Sequence, residues 1–158
     1  MSKKLGHRLK RTGLTMSVAE SCTGGLLAST VTDVPGSSLY FVFGLVVYSE
    51  EQKMRELGVS RETIYNYTAV SKQAAQEMLA GLSRKQYSDI CVVTTGYAGP
   101  GGGTKDDPVG TVYIGIGAPA YQEVFKCHFD GERSQVKEAA VEFVLNQLLK
   151  IISELEYR

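Results

Sequence analysis

The run from Thr94 to Thr104, Thr-Thr-Gly-Tyr-Ala-Gly-Pro-Gly-Gly-Gly-Thr, sets five glycines and three threonines at the end of an apolar, strand-like segment, Asp89 to Thr95. A strand of that composition is buried, and one that gives way to so much glycine ends in a loop whose backbone amides can approach a ligand closely. The threonines add hydrogen-bond donors without adding charge. An ordinary turn needs far less glycine.

The rest of the chain supplies the layers such a strand requires. Lys3 to Arg11 reads as a short basic helix and Leu14 to Ala19 as a brief strand that stops at Glu20-Ser21-Cys22-Thr23-Gly24-Gly25. A helix over Leu26 to Thr32 follows, broken by Val34-Pro35-Gly36-Ser37-Ser38, and Phe41 to Tyr48 is apolar and β-rich. Glu50 to Leu57 holds helix formers up to a capping Gly58. Ala74, Ala75, Met78, Leu79 and Leu82 share one helical face in a segment that starts at Ser71. Val109 to Ile116 and Glu123 to Phe129 are two further strands, and Val136, Ala140, Phe143, Val144, Leu148, Ile151, Ile152 and Leu155 form the stripe of a long amphipathic helix. Helices before, between and after strands predict an α/β chain, a layered α/β/α domain over 1–158 with a mixed sheet, because the last two strands are close enough to pair antiparallel.

Composition removes several function classes. At 158 residues, 43% of them apolar, the chain has material for one core, and 17 basic residues cancel 17 acidic ones. Summed charge therefore gives no case for a nucleic-acid or membrane-surface partner, and any anion site is local. No apolar run reaches the about 18 residues of a membrane span, and the basic N-terminal stretch lacks the apolar centre of a secretion signal, which points to the cytoplasm. Cys22, Cys91 and Cys127 have neither disulfide nor zinc-ligand spacing.

Three glycine-and-hydroxyl clusters, Ser21 to Gly25, Gly36 to Ser38 and Thr94 to Thr104, sit where an element gives way to a loop, the kind of place where α/β sheets bind ligands. Neither G-x-x-x-x-G-K-[ST] nor G-x-G-x-x-G nor G-x-S-x-G is present, which argues against a nucleotide triphosphatase, a dinucleotide fold or a hydrolase elbow. The only histidines, His7 and His128, lie in the basic stretch and in a strand, so a Ser-His-Asp triad lacks a base. A serine can instead be activated by a desolvated lysine. Tyr48, at a strand end, and Lys53, on the first turns of the next helix, are the candidates, against the commoner case of a solvated surface lysine. Arg133 opens the last helix, either to hold a phosphate or to pair with a carboxylate such as Asp130. Cys22 is either a reactive thiolate or a small buried thiol.

Taken in order, Ala19-Glu20-Ser21-Cys22-Thr23-Gly24-Gly25, Pro35-Gly36-Ser37-Ser38, Val47-Tyr48-Ser49 with Lys53, Ala69-Val70-Ser71, Thr95-Gly96-Tyr97-Ala98-Gly99-Pro100-Gly101-Gly102 and Pro108-Val109-Gly110-Thr111-Val112 resemble the CinA C-terminal domain, or nicotinamide-nucleotide amidase, family. The resemblance implies hydrolysis of the carboxamide of nicotinamide mononucleotide to nicotinate mononucleotide and ammonia, with a serine and a lysine and with neither metal nor cofactor. It implies Ser38 as nucleophile and Lys53 as its general base, with Tyr48 assisting the proton transfers. Ser21 and Thr95 would orient groups or stabilise the oxyanion. Gly36, Ser37, Gly96, Gly99, Gly101, Gly102 and Arg133 would contact the substrate, Arg133 and the glycine loop at its ribose phosphate. Lys53 must be neutral to act as base, so a buried amine with a depressed pKa is expected.

The expected form is a stand-alone domain without the N-terminal domain of longer members, assembled as a homodimer. Two positions depart from the family pattern: Tyr67-Thr68 stands where His-Gly is common, and Asp107 where Lys is common. They support a second reading, an inactive relative that binds a nucleotide or a protein partner. A third, a hydrolase of another small amide, would not need Arg133.

Overall fold

The computed structural model describes residues 1–157. In chain order its elements are α1 (Ser2–Thr12), β1 (Met16–Glu20), α2 (Leu26–Thr32), a 3-10 turn (Ser37–Leu39), β2 (Phe41–Val46), α3 (Glu50–Leu57), α4 (Arg61–Tyr67), α5 (Lys72–Arg84), β3 (Ile90–Gly96), β4 (Thr111–Ala118), β5 (Tyr121–His128) and α6 (Arg133–Glu156). The strands form one sheet in the order β2-β1-β3-β4-β5. β1 is parallel to both β2 and β3, whereas β3, β4 and β5 are antiparallel neighbours, so the sheet is mixed.

Alternation along the central strands builds the two helical layers. Met16, Val18, Ile90 and Val92 face a core shared with Leu5 and Leu9 of α1, Leu27 and Val31 of α2, and Val136, Ala140, Val144 and Leu148 of α6. Ala19, Cys91 and Val93 face the other way, onto Leu57 of α3 and Met78, Leu79 and Leu82 of α5. Each fully buried leucine of this kind stabilises the fold by about 1.5–3 kcal/mol relative to exposure, which is why a two-sided strand needs both layers. Gly81 of α5 brings α3 close: a Cβ there would lie 1.8 Å from the carbonyl oxygen of Leu57.

Strand ends shift by a residue or two from the sequence expectation, and one helix is additional; the ends of β2 and β4 and the added helix have local explanations. β2 stops at Val46, although the Val47 amide still donates to the Glu20 carbonyl at 2.8 Å. β4 starts at Thr111 instead of Val109, because Pro108 to Gly110 form a turn closed by Thr111 N–H donating to the Pro108 carbonyl, with Gly110 at φ +96°. The helix α4 has no apolar stripe to announce it, since Thr63 is its one buried residue. It is held by Ser60, whose hydroxyl accepts from the Thr63 amide, and by Glu77, whose carboxylate accepts from both hydroxyls. No helix of the described residues is long and apolar enough to cross a membrane.

Candidate active site

At the C-terminal ends of β1 and β3 the chain diverges: β1 leads to α2 on one face of the sheet, while β2 leads to α3 on the other. Crevices open where connections part in this way. Here the crevice is a cavity of about 220 Å³ lined by Ser21 and Cys22, Tyr48, Glu50 and Lys53, Ala69 and Val70, Thr95 to Gly99, Gly101 and Arg133.

Ser21 is the first residue beyond β1, and its placement is rigid. Its amide donates to the Thr94 carbonyl at 3.0 Å, continuing the β1–β3 pairing by one residue. The hydroxyl of Thr94 pairs with that of Thr23 at 2.8 Å, which ties the Ser21–Gly25 turn to β3. Glu20, fully buried, aims its carboxylate at the start of α2 and accepts from the amides of Gly25, Leu27 and Ala28 at 3.2, 3.0 and 2.9 Å. A buried carboxylate is tolerable on such terms, because three amides at a helix N-terminus compensate its lost hydration. The turn that carries Ser21 is therefore clamped at both ends.

Lys53 reaches the same point from α3. Ser49 caps this helix by accepting from the Gln52 amide, which fixes its first turn directly behind β2. The Lys53 side chain runs inward and is only 2% exposed. Its Nζ donates to Ser21 Oγ at 2.8 Å and to the Val47 carbonyl at 3.1 Å. Among the described residues no carboxylate forms an ion pair with it. Burial pushes its pKa below the ordinary 10.5, opposed in part by the neighbouring Cys22 and Glu50. Cys22 itself is pushed up to about 11 by burial, so it is a neutral thiol and not the reactive thiolate.

The remaining groups close the crevice. Thr95, 1% exposed, donates its hydroxyl to the Ala69 carbonyl at 2.7 Å and so anchors the segment after α4. Its proton is committed there. Arg133 donates through Nη1 to the Gly99 carbonyl at 2.7 Å and through Nη2 to the Tyr48 hydroxyl at 2.6 Å, bridging the glycine loop to the end of β2.

Residues 1–152 match the CinA C-terminal domain. The chain belongs to that family. It is 50% identical over 141 residues to a CinA-like protein of Fusobacterium nucleatum, covering 89% of this chain and 34% of that one. It is 46% identical over 153 residues to one from Endomicrobium trichonymphae, covering 96% and 36%. The chain thus spans about a third of the length of these curated relatives. Among solved structures, a competence or damage-inducible protein from Enterobacter asburiae superposes with a TM-score of 0.90 at 39% identity, covering 96% of this chain and 95% of that one. A CinA superfamily protein from Klebsiella pneumoniae does so with 0.91 at 31% identity, covering 97% and 96%. The α/β fold is that of the CinA superfamily.

Within this CinA domain the structure brings Ser21, Tyr48, Lys53, Thr95, Gly96, Gly99, Gly101 and Arg133 to one crevice. It does not bring Ser38 there. Ser38 precedes β2 and Lys53 follows it, and six residues of strand set the two ends roughly 20 Å apart. Ser38 is exposed in the 3-10 turn, and Gly36 and Ser37 lie beside it at the opposite end of the sheet, near Lys10 and Thr32. The serine hydroxyl that the structure sets beside Lys53 Nζ is that of Ser21, at 2.8 Å. Gly102 is not part of the crevice wall either; it backs onto the ring of Tyr97. Asp107 is turned away, accepting from the Tyr113 hydroxyl at 2.7 Å and pairing with Lys126 at 2.9 Å. Ala69 and Val70, absent from the sequence expectation for the site, form part of its wall. The one trace of them in the sequence is the Ala69-Val70-Ser71 motif.

Proposed function

We propose that this chain is an amidohydrolase that deamidates nicotinamide mononucleotide, with Ser21 as nucleophile and Lys53 as general base. The observation that carries this reading is the 2.8 Å contact between Ser21 Oγ and an almost wholly buried Lys53 Nζ. A lysine held in this way, with its pKa lowered by desolvation and no carboxylate salt-bridged to it, is in the state a base requires.

The chemistry follows from that pair. Neutral Lys53 keeps one N–H on the Val47 carbonyl and takes the proton of the Ser21 hydroxyl as Oγ attacks the amide carbon. The ammonium so formed passes its proton to the departing nitrogen, which leaves as ammonia, and Ser21 carries the acyl group. Water, deprotonated by the same amine, then attacks the ester and releases the carboxylate, returning Ser21 and Lys53 to their starting states. Tyr48 and Arg133, joined by a 2.6 Å hydrogen bond, both line the crevice in which the amide would react.

The direct test is release of ammonia from nicotinamide mononucleotide by the parent chain and by Ser21→Ala, Lys53→Met and Ser38→Ala variants. Turnover by the parent and by Ser38→Ala, but not by the other two, is the expected pattern. Absence of turnover by the parent would refute the activity, and full turnover by Ser21→Ala would refute the nucleophile.

A further inference from the structure

Between Ala98 and Thr104 the chain holds four glycines, two of which, Gly99 and Gly101, form part of the crevice wall. Glycine loses more conformational freedom on ordering than any other residue, so such a wall keeps its place only if its ends are fastened. Its tip is free, since nothing lies within 4 Å of where a Cβ on Gly101 would stand. Arg133, donating to the Gly99 carbonyl, fastens the first end.

The far end is fastened by residues outside the crevice. Thr104 and Asp107 close a turn in which the Thr104 amide donates to the Asp107 carbonyl at 2.8 Å and the Asp107 amide to the Thr104 hydroxyl at 2.9 Å. The Asp107 carboxylate accepts from the Tyr113 hydroxyl of β4 at 2.7 Å and pairs with Lys126 of β5 at 2.9 Å. Lys126 also donates to the Asp106 carbonyl at 3.0 Å. Partial burial pushes the Asp107 pKa up, but these two donors outweigh it and hold the group below its ordinary 3.8, so it is charged at neutral pH. Tyr113 is itself buried, and its side chain clusters with Val70 and Tyr97, both of which line the crevice. Gly102 in turn backs onto the Tyr97 ring. One tyrosine thus joins the crevice wall to the end of the loop.

We infer that Asp107, Tyr113 and Lys126 form a latch that holds the glycine loop against the crevice, with Asp107 and Tyr113 as positioning residues for the ligand bound there. The amidase reading enters only through the substrate used to measure that binding. Asp107, which stands where lysine is common in the family, is then a working part of this chain's loop. The two partners of the carboxylate contribute unequally. The hydroxyl of a buried tyrosine makes a hydrogen bond to a charged group, whereas Lys126 is half exposed and its ion pair is screened by solvent.

Lys105 lies inside the Thr104–Asp107 turn, so tryptic cleavage after it reports opening of the latch in the folded chain without any substrate. Tyr113→Phe should be cut there about 5- to 10-fold faster than the parent, and at lysines outside the loop at the parent's rate. Asp107→Ala should behave as Tyr113→Phe does, while Asp107→Asn, which keeps an acceptor for the hydroxyl, should stay within about threefold of the parent. Lys126→Met should give the smallest rise, about twofold. With nicotinamide mononucleotide, Tyr113→Phe should raise KM by about 3- to 10-fold and leave kcat within about twofold, because fewer molecules hold the loop closed while the closed form reacts as before. Cleavage of Tyr113→Phe at the parent's rate, faster cleavage at all lysines alike, or an unchanged KM in a chain that releases ammonia would each overturn the inference. Faster cleavage at Lys105 in a chain that releases no ammonia would keep the latch and remove the amidase reading.

Discussion

Replacing Lys53 with methionine separates what the fold requires of this position from what the chemistry requires. Met has nearly the length of the lysine stem and no charge, so it fills the same space between α3 and β1. Two effects oppose each other at neutral pH. Removing a buried amine abolishes its desolvation cost, for which replacement of buried ionic groups by apolar ones suggests about 1–4 kcal/mol. Against this, the Val47 carbonyl and the Ser21 hydroxyl each lose a partner, and a buried orphaned acceptor costs about 1–3 kcal/mol. These terms nearly cancel, so the absolute change is a poor test.

Its pH dependence is a sharp one. The folded-state pKa of Lys53 lies below the ordinary 10.5 of the unfolded chain. Between those two values the unfolded state binds a proton that the folded state does not, so stability rises with pH in that window. The slope reaches about 1.4 kcal/mol per pH unit for one fully uncoupled proton. Below the folded pKa both states are protonated and the cost is fully present; above 10.5 it has vanished. The parent chain should therefore gain stability relative to Lys53→Met as pH is raised toward 10.5, measured as the difference between urea unfolding free energies at stepped pH. A flat difference would show that folding leaves the amine's pKa unchanged, and one that falls with pH that the fold stabilises its charged form; either would remove the base from the proposed mechanism. The kcat/KM of the parent should rise through the same depressed pKa, because only the neutral amine accepts the serine proton.

Ser21→Ala should lower kcat by at least about 10³-fold and, because it leaves one buried Lys53 N–H without its acceptor, cost about 1–3 kcal/mol of stability, while Ser38→Ala on the exposed turn should leave kcat/KM within about twofold. Thr68 sits at φ 68° and ψ 168°, a region that only glycine visits readily, so Thr68→Gly should raise stability by about 1 kcal/mol, read as a higher melting temperature; a lower one would show that its hydroxyl contacts with Val70 outweigh the backbone strain. Gly81→Ala should cost more than about 3 kcal/mol and also lower kcat, because the new methyl displaces Leu57 and with it the helix that carries Lys53.

The elements were legible in the sequence wherever a period was strong: the stripes of α5 and α6, the apolar runs of β1 and β3, and the closely spaced pair that became the β4–β5 hairpin. The helix α4 was not, since its stability comes from a Ser60–Thr63–Glu77 hydroxyl–carboxylate cluster that leaves no hydrophobic pattern. In the site, Lys53, Tyr48 and Arg133 were legible as residues, because each stands at an element terminus where side chains face a strand-end crevice. Which serine stands beside Lys53 was not. Ser21 and Ser38 both follow a break in secondary structure beside glycine. Only topology tells them apart: one lies after β1, at the end of the sheet where α3 begins, and the other before β2, at the opposite end. A sequence displays the residues of a turn but not which end of the sheet the turn occupies.

The departures from easy folding in this chain gather around that end of the sheet. Lys53 is buried with no counter-charge, Glu20 is fully buried beneath the turn that carries Ser21, and Thr68 adopts a glycine backbone one residue before Ala69 enters the crevice wall. Each costs stability on its own, and each is retained only because its surroundings hold it in place. Three amides hold Glu20, a hydroxyl and a carbonyl hold Lys53, and Thr95 holds the Ala69 carbonyl. A fold selected for stability alone has no reason to concentrate such costs at one point. Glu20 makes the distinction concrete. Glu20→Gln keeps the shape and loses one acceptor, so the amides of α2 are left partly unpaired. The expected result is a loss of about 1–3 kcal/mol together with a fall in kcat, since the turn it secures is the one that presents Ser21 to Lys53. Loss of stability with kcat unchanged would mean that the nucleophile is held by its pairing with Thr94 alone, and that the buried carboxylate serves only the helix.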